Sequence, residues 1–597
     1  MHLDCRTSKY KGKTYKFYNI AESYREGAKV KKKRLFPLGK LTDDQVAKIR
    51  LICKIISNPD EQVTTPSHIV AQECVRYLDV AVVNQLWQTW QLSDAFTFAI
   101  TKEALSTDLV AKILVINRCL EPCSHYCVPR WIRTTALPEL LGEKVLDLND
   151  DKIYYELSKI QKNQPLIENF LYEKTYQQHP HSYDYVNYDL SSSYFVGMKC
   201  KLSALGCSKD SKSNCKQVVL ALMINSQGYP FKWDVFPGNM AEIHTMEKIT
   251  KACAHRFKLQ NITMVFDRGL VSKDSLQVID EKGLKYISAL DHDQIAHVPN
   301  IDLSVFKDLE PEGALDSISK LPGFTEYDSS LYFKDLGVIS NQRYILGINP
   351  ERFIQERKCR QEKIDCFHRF VSANNRALKK AKKDRQQQPT FNKVVNELKR
   401  LKIKKYFEAP QLNEICVEVI LKDGSRKQVK SFQVKVKKKI ATIAQEKLTD
   451  GLCVFVTNHI EKDAAEYLLS AKRIILAYRE KTRVEDAFKN IKSFVKIRPF
   501  FVNKDEHVKA VYTICVLSYF INRYLSQKRK ALEAKDFLNS KQPYEPFTNC
   551  KLVTFLDALS GLTKKDIIPL SQKQKEILHA IAIEKLIKFT PIYSSIK

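Results

Sequence analysis

Between Tyr183 and Leu290 the chain carries an order of elements that few folds accept. Tyr185–Asp189 is a short alternating run, Gln217–Asn225 (QVVLALMIN) a nearly continuous apolar one, and Phe231–Phe236 (FKWDVF) a third. Runs of this length, rich in β-branched and aromatic residues, predict strands. Glu242–Lys258 then has helical periodicity, Asn261–Phe266 (NITMVF) is a fourth strand, Ser272–Lys282 is helical, and Leu284–Leu290 (LKYISAL) is a fifth strand. Three strands, helix, strand, helix, strand is the order of an RNase H-like α/β sheet. Other α/β folds share it, so the residues at the strand ends have to decide.

Two of those residues are carboxylates. Asp189 ends the first strand before Ser191-Ser192-Ser193, and Asp267 ends the fourth before Arg268-Gly269. If these strands are neighbours, both side chains emerge at one edge of the sheet. Converging carboxylates there suit a pair of Mg²⁺ ions, because Mg²⁺ prefers hard oxygen ligands and keeps several waters. Two ions about 3.5–4 Å apart activate a nucleophile and stabilise the leaving oxygen of a phosphodiester. Taken alone, either aspartate reads more simply as a turn residue or a helix cap. A third carboxylate comes from Tyr478–Lys492, read as one helix. Tyr478, Glu485 and Lys492 are seven apart and nearly in line, Lys481 lies close by, and Val484, Phe488 and Ile491 form the apolar stripe beside them. An ordinary surface row of charged residues has the same pattern.

Charge narrows the partner. The chain of 597 residues has 97 Lys and Arg against 68 Asp and Glu, a net +29. Residues 1–40 hold twelve basic and three acidic residues, net +9, and residues 351–410 hold eighteen and seven, net +11. Two dense basic blocks far apart in sequence predict a backbone-binding surface for a polyanion, nucleic acid above all. No apolar run approaches the roughly 18 residues of a membrane span. The N-terminus lacks an apolar export core, so the sixteen cysteines are expected to be reduced thiols. Cys119, Cys123, His125 and Cys127 match no common structural zinc spacing.

Around the sheet the pattern divides as follows. Residues 1–41 read as a small basic β hairpin or meander closed by Gly39, and 42–181 as a helical DNA-binding region. Residues 182–290 form the first part of the α/β core. Residues 291–456 are an insertion with basic helices and strands, 457–530 complete the core with the Glu485 helix, and 531–597 form a helical C-terminal region.

Four segments taken together resemble the DDE transposases of bacterial insertion sequences, in the branch with the signature Tyr-x2-Arg-x3-Glu-x6-Lys. They are Tyr188–Phe195; Gly206–Asp210 with Gln217-Val218-Val219 and Gly228–Asn239; Val265–Gly269; and Tyr478–Lys492 continuing into Ile497–Phe500 and the helix around His507–Leu525. Asn117–Pro122 is also similar to that branch. The resemblance implies a catalytic triad of Asp189, Asp267 and Glu485 holding two Mg²⁺ (or Mn²⁺) ions. It implies end-DNA contacts from Tyr478 and Lys492. Lys481 stands where the signature has Arg and keeps the charge without the planar fork; Arg479 or Arg483 would compensate, with Arg268 as a further DNA contact. It further implies binding of double-stranded DNA at terminal inverted repeats, hydrolysis at the element's end, 3′-hydroxyl transfer into target DNA, and a homodimer acting in the bacterial cytoplasm on the nucleoid. An RNase H-like nuclease without strand transfer and an inactive DNA-binding relic are the rival readings. Asp184 is an alternative to Asp189, and Asp210 and His244 read by default as polar loop and helix-start residues, with a place near the active edge as the alternative.

Overall fold

The computed structural model describes residues 1–595 apart from 58–65, 100–104, 196–198, 207–213, 256, 258–261, 421–424, 465, 499, 501, 534–542 and 559–560. Asp210 and part of the Gly206–Asp210 segment lie outside the described residues. The chain divides into two units, one of residues 1–81, 134–136 and 546–597, the other of 82–133 and 137–545.

The first unit begins with an antiparallel three-stranded sheet: β1 (His2–Tyr10), β2 (Lys13–Glu26) and β3 (Lys29–Gly39). A helix, Asp43–Ser57, follows and packs against β1, with Asp43 and Asp44 in its first turn where the helix dipole favours negative charge. A second sheet joins β4 (Ile69–Arg76) to strands from the other end of the chain, in the order Ile592–Ser595, Leu562–Ile567, Lys551–Asp557, β4. This corrects the expectation of a purely helical C-terminal region and of a wholly helical 42–181. The C-terminal segment does contain the helix Gln572–Ala580. Its strands pair with β4 nearly 500 residues upstream, a partner that local periodicity cannot register.

The second unit is built on one nine-stranded sheet. Its strands are β5 (Tyr185–Tyr194), β6 (Gln217–Asn225), β7 (Pro230–Pro237), β8 (Thr263–Phe266), β9 (Lys285–Ala289), β10 (Thr325–Asp328), β11 (Leu331–Ile339), β12 (Gln342–Ile348) and, after an excursion carrying the hairpin β13 (Gln411–Ile420) and β14 (Arg426–Lys435), β15 (Leu452–Thr457). The order across the sheet is β10-β11-β12-β15-β9-β8-β5-β6-β7. β5, β6 and β7 are antiparallel, and β8 and β9 run parallel to β5, the arrangement of an RNase H-like core. Tyr188, Leu190, Met264, Phe266 and Tyr286 share one buried cluster with Met246, Ile249, Leu276 and Ile279 of the helices Glu242–His255 and Lys273–Glu281. On the other face Val265, Ile287, Ala289 and Phe455 pack with Ile474 and Ile475 of the helix Ala471–Arg479. Also on that face Trp233 donates through Nε1 to Thr513 Oγ1 (3.0 Å) of the long helix Asp505–Glu533. Alternation of side chains along each strand thus gives the sheet two covered faces.

The expected insertion is partly sheet. β10–β12 and β15 extend the core beyond β9; the short helices His292–Ile295 and Ala314–Ser319 precede β10, and 349–451 leaves the sheet as the helices Pro350–Lys379 and Gln387–Arg400, the β13–β14 hairpin and the helix Ile440–Lys447. This excursion is anchored at its base. Asn349 donates from its N–H to the Gly451 carbonyl (2.9 Å), Gly451 N–H donates to Glu356 Oε2 (2.8 Å), and Arg357 and Arg360 meet the buried Asp450 carboxylate. Gly451 has φ +71°, and a Cβ there would stand 2.6 Å from Phe353 Cβ and 2.8 Å from the Asn349 carbonyl oxygen. A left-handed residue with no room costs about 1–3 kcal/mol before the clash is counted. Gly451→Ala is therefore expected to lower the melting temperature of the full chain by several degrees in a thermal-shift assay. An unchanged melt would contradict this account of the anchor.

Candidate active site

The site is set by strand pairing. β5 and β8 run parallel with Tyr188 opposite Phe266, so Asp189 and Asp267 each stand one residue further along, side by side; Asp267 follows the end of β8, but β5 runs on to Tyr194 with Asp189 paired to Leu222 of β6, which corrects the expected strand end at Asp189 to a position within the strand. Both belong to the face covered by the Ala471–Arg479 helix, opposite the Tyr188 and Phe266 rings. Both are half-buried. Each accepts from the N–H of the following residue, Leu190 at 2.8 Å and Arg268 at 2.9 Å. Asp267 thereby caps the short turn Arg268–Leu270.

The third carboxylate arrives on a helix that is not continuous. Ala471–Arg479 ends, Glu480 and Lys481 form a tight turn, Thr482–Lys489 resumes as α-helix, and Asn490–Phe494 widens to a π turn. The i→i−3 bonds of Arg483 to Glu480 and of Val484 to Lys481 make the tight turn. The expected single helix from Tyr478 to Lys492 is thus corrected to three pieces. Val484, Ala487 and Phe488 are buried and hold the middle piece, which packs on β5.

Lys481 joins the parts. It is buried, and its ammonium lies 2.9 Å from Asp267 Oδ1 and 3.0 Å from Glu485 Oε1. Burial pulls this ammonium down, but the neighbouring Tyr478 and the two carboxylates outweigh it and hold Lys481 above an ordinary lysine. Tyr478 stands over the same aspartate, its hydroxyl 3.5 Å from Asp267 Oδ1, and burial pushes its phenol up to about 12. Its ring meets Phe455 edge to face at 5.3 Å.

This donor set fits a divalent cation. All three members are hard carboxylate oxygens, and Asp267 and Glu485 already share one positive centre, the Lys481 ammonium. Among the described residues no three His, Cys, Asp or Glu side chains stand close enough together to hold a metal as they lie.

The basic residues divide between structure and surface. Arg479 is committed to the turn between β10 and β11. It pairs with Asp328, donates to Ser330 Oγ (2.9 Å) and stacks over Tyr327 at 4.7 Å. Arg483 donates to the Ser226 carbonyl and to Glu480 Oε1 (2.7 Å). Arg268 is exposed, 3.4 Å from Asp291. Lys492 is half-buried in the π turn. Asp184 is exposed beside His181, five residues before Asp189. His244 is exposed near the start of the helix Glu242–His255. Cys119 contacts the Ser518 carbonyl, Cys123 contacts Asn117, and Cys127 accepts from Ser124. Burial presses the His125 imidazole down to about 3. The carboxylates of Asp328 and Asp291 carry no sequence signal of their own; only the strands around them show that they anchor arginines.

A sheet of this order, with Asp189 and Asp267 on adjacent parallel strands and Glu485 on a helix that follows it in the chain, is an RNase H-like core. Residues 204–521 match the model of the transposase DDE domain, and residues 3–64 match that of the IS1634 family transposase N-terminal domain. The chain belongs to the DDE transposases of bacterial insertion sequences. No curated protein matches it. No helix among the described residues is long and apolar enough to cross a membrane.

Arg479 tests the division between structure and surface. Arg479→Ala removes a partly buried charge pair and a ring contact, and is expected to cost about 1–2 kcal/mol of stability. Duplex affinity at fixed salt should stay within about twofold of wild type. Weaker binding with unchanged stability would make Arg479 a DNA contact instead.

Proposed function

We propose that this transposase binds the double-stranded ends of its element as a dimer, cuts the phosphodiester at each end, and joins the freed 3′ end to target DNA. In the first step a water oxygen attacks the phosphorus at the element boundary and the 3′ oxygen leaves, taking a proton. In the second, the 3′-hydroxyl attacks a phosphorus of the target strand and displaces that strand's 3′ oxygen. Neither step needs a covalent bond to the protein. The observation that carries this reading is the convergence of Asp267 and Glu485 on one cationic centre, with Asp189 on the next strand.

Asp189, Asp267 and Glu485 would hold two Mg²⁺ or Mn²⁺ ions, which supply a deprotonated nucleophile and stabilise the leaving oxygen. For that, the Lys481 ammonium gives way and turns to a DNA phosphate, exchanging two carboxylates for one phosphate anion. As an ammonium it acts as a point charge and does not need the bidentate geometry of an arginine. Tyr478 keeps its proton across the working pH range, so its hydroxyl donates to Asp267 and holds that carboxylate in place. Arg268, Lys492 and the two basic blocks contribute phosphate contacts, which position the duplex without reading its sequence.

Three outcomes test this. Glu485→Gln is expected to lower end cleavage by about 10³-fold, or about 4 kcal/mol in the barrier, with duplex affinity little changed. Pre-cut ends supplied with a target plasmid and Mg²⁺ should give joined products with wild type alone. Cleavage without joining would make the chain a nuclease. In the DNA-free protein, Lys481→Met should tighten Mn²⁺ binding about tenfold in calorimetry, because the competing internal cation is gone. Unchanged Mn²⁺ affinity would show that Lys481 does not guard the site.

A further inference from the structure

The N-terminal sheet is short at its centre and long at its two arms. All three strands overlap only around Tyr18–Ala21 of β2. On one side β1 and β2 continue alone as a two-stranded ribbon, from Arg6 opposite Phe17 to Tyr10 opposite Lys13. On the other side β2 and β3 form a second ribbon, from Glu22 opposite Lys33 to Glu26 opposite Lys29.

The first ribbon closes through Lys11 (φ +48°) and Gly12 (φ +76°). Positive φ at both central positions gives a tight turn whose twist matches that of the strands. Arg6 to Tyr10 and Lys11 to Thr14 are exposed, and Tyr10 is 64 % exposed at the tip. The segment 6–16 carries Arg6, Lys9, Lys11, Lys13 and Lys16 and no acidic residue. None of these five cations forms a salt bridge among the described residues, although, after Lys32, Arg6 adds to the positive field that lowers the Asp4 carboxyl. Residues directly opposite share a face, so Arg6 and Lys13 lie on one face and Lys9 and Lys16 on the other. The second ribbon is partly neutralised from within, by Glu26 on Lys31 and by Asp4 on Lys32.

We infer that the β1–β2 ribbon is the element that enters the major groove of the end DNA, and that sequence recognition begins there and not in the helical region 82–181. This rests on the transposase reading above. A two-stranded ribbon fits a major groove about 12 Å wide. Cations on both faces match the two phosphate rails that flank a groove, and Arg6 has the fork that pairs with guanine. Five cations without a salt bridge, on an exposed ribbon whose own segment 6–16 has no acidic residue, have a polyanion as their complement.

The test uses the full chain and two labelled duplexes of about 30 base pairs, each long enough to span two to three helical turns. One copies the DNA at the element's own end, and the other is scrambled at the same composition. With Arg6, Lys9, Lys11, Lys13 and Lys16 all changed to Gln, affinity for the end duplex should fall at least about tenfold. The ratio of end to scrambled affinity should collapse towards one, and the salt slope should flatten by about 0.9 for each phosphate that is no longer neutralised. Lys29, Lys31 and Lys33 changed to Gln should leave that ratio within about twofold. As a readout independent of folding, a benzophenone side chain at Tyr10 should cross-link to a base of the end duplex. If the five-fold variant keeps the wild-type ratio, or the Tyr10 probe cross-links only to the scrambled duplex or to neither, the ribbon is not the reader, and the transposase reading stands. A wild-type chain that prefers neither duplex overturns both.

Discussion

The parallel pairing of β5 with β8 is the constraint from which the site follows. Parallel pairing sets matched positions side by side, so one register, Tyr188 opposite Phe266, brings Asp189 and Asp267 together from positions 78 residues apart. A slip of one residue would turn one carboxylate to the opposite face, where Met264, Phe266 and Tyr286 fill the core. That register is held by burial on both sides. The Tyr188 and Phe266 rings are fully enclosed by the helices Glu242–His255 and Lys273–Glu281, and Val265 and Ile287 by Ala471–Arg479.

Against this rigid edge the glutamate is held by charge as well as packing. Val484 and Phe488 hold their helix to the sheet, but the Glu485 side chain itself is half exposed and is drawn in by Lys481. The buried stem of Lys481 delivers one positive charge between two carboxylates that would otherwise repel each other. On the proposed function, this ammonium must leave the two carboxylates before they can hold a metal ion.

Much of the core was legible from the residues. Gln217–Asn225 coincides with β6, and the other four core strands differ from expectation by a few residues at their ends. Long apolar or alternating runs bounded by turns carry their own periodicity. Asp267 stands after the last residue of its strand, as its sequence position suggested, whereas Asp189 lies within β5, because the run Ser191-Ser192-Ser193 that reads as a turn is held in the sheet by pairing with β6. Three features were not legible. The break at Glu480–Lys481 comes from hydrogen bonds that leave the apolar spacing intact. The roles of Arg479 and Arg483 depend on Asp328, Ser330 and Ser226, each more than 140 residues away. The C-terminal strands pair with β4 across almost the whole chain, and a half-exposed strand such as Lys551–Asp557 acquires its identity only from that partner.

If Asp189, Asp267 and Glu485 hold the metal ions together as proposed, Lys481 withdraws from them when DNA and metal bind. Anomalous diffraction from crystals of the full chain grown with Mn²⁺ and the end duplex tests it most directly. Manganese should be bound by all three carboxylates, with the Lys481 ammonium moved to a phosphate. A Lys481 still bridging Asp267 and Glu485 in a manganese-loaded, DNA-bound crystal, with the metal held elsewhere, would contradict it.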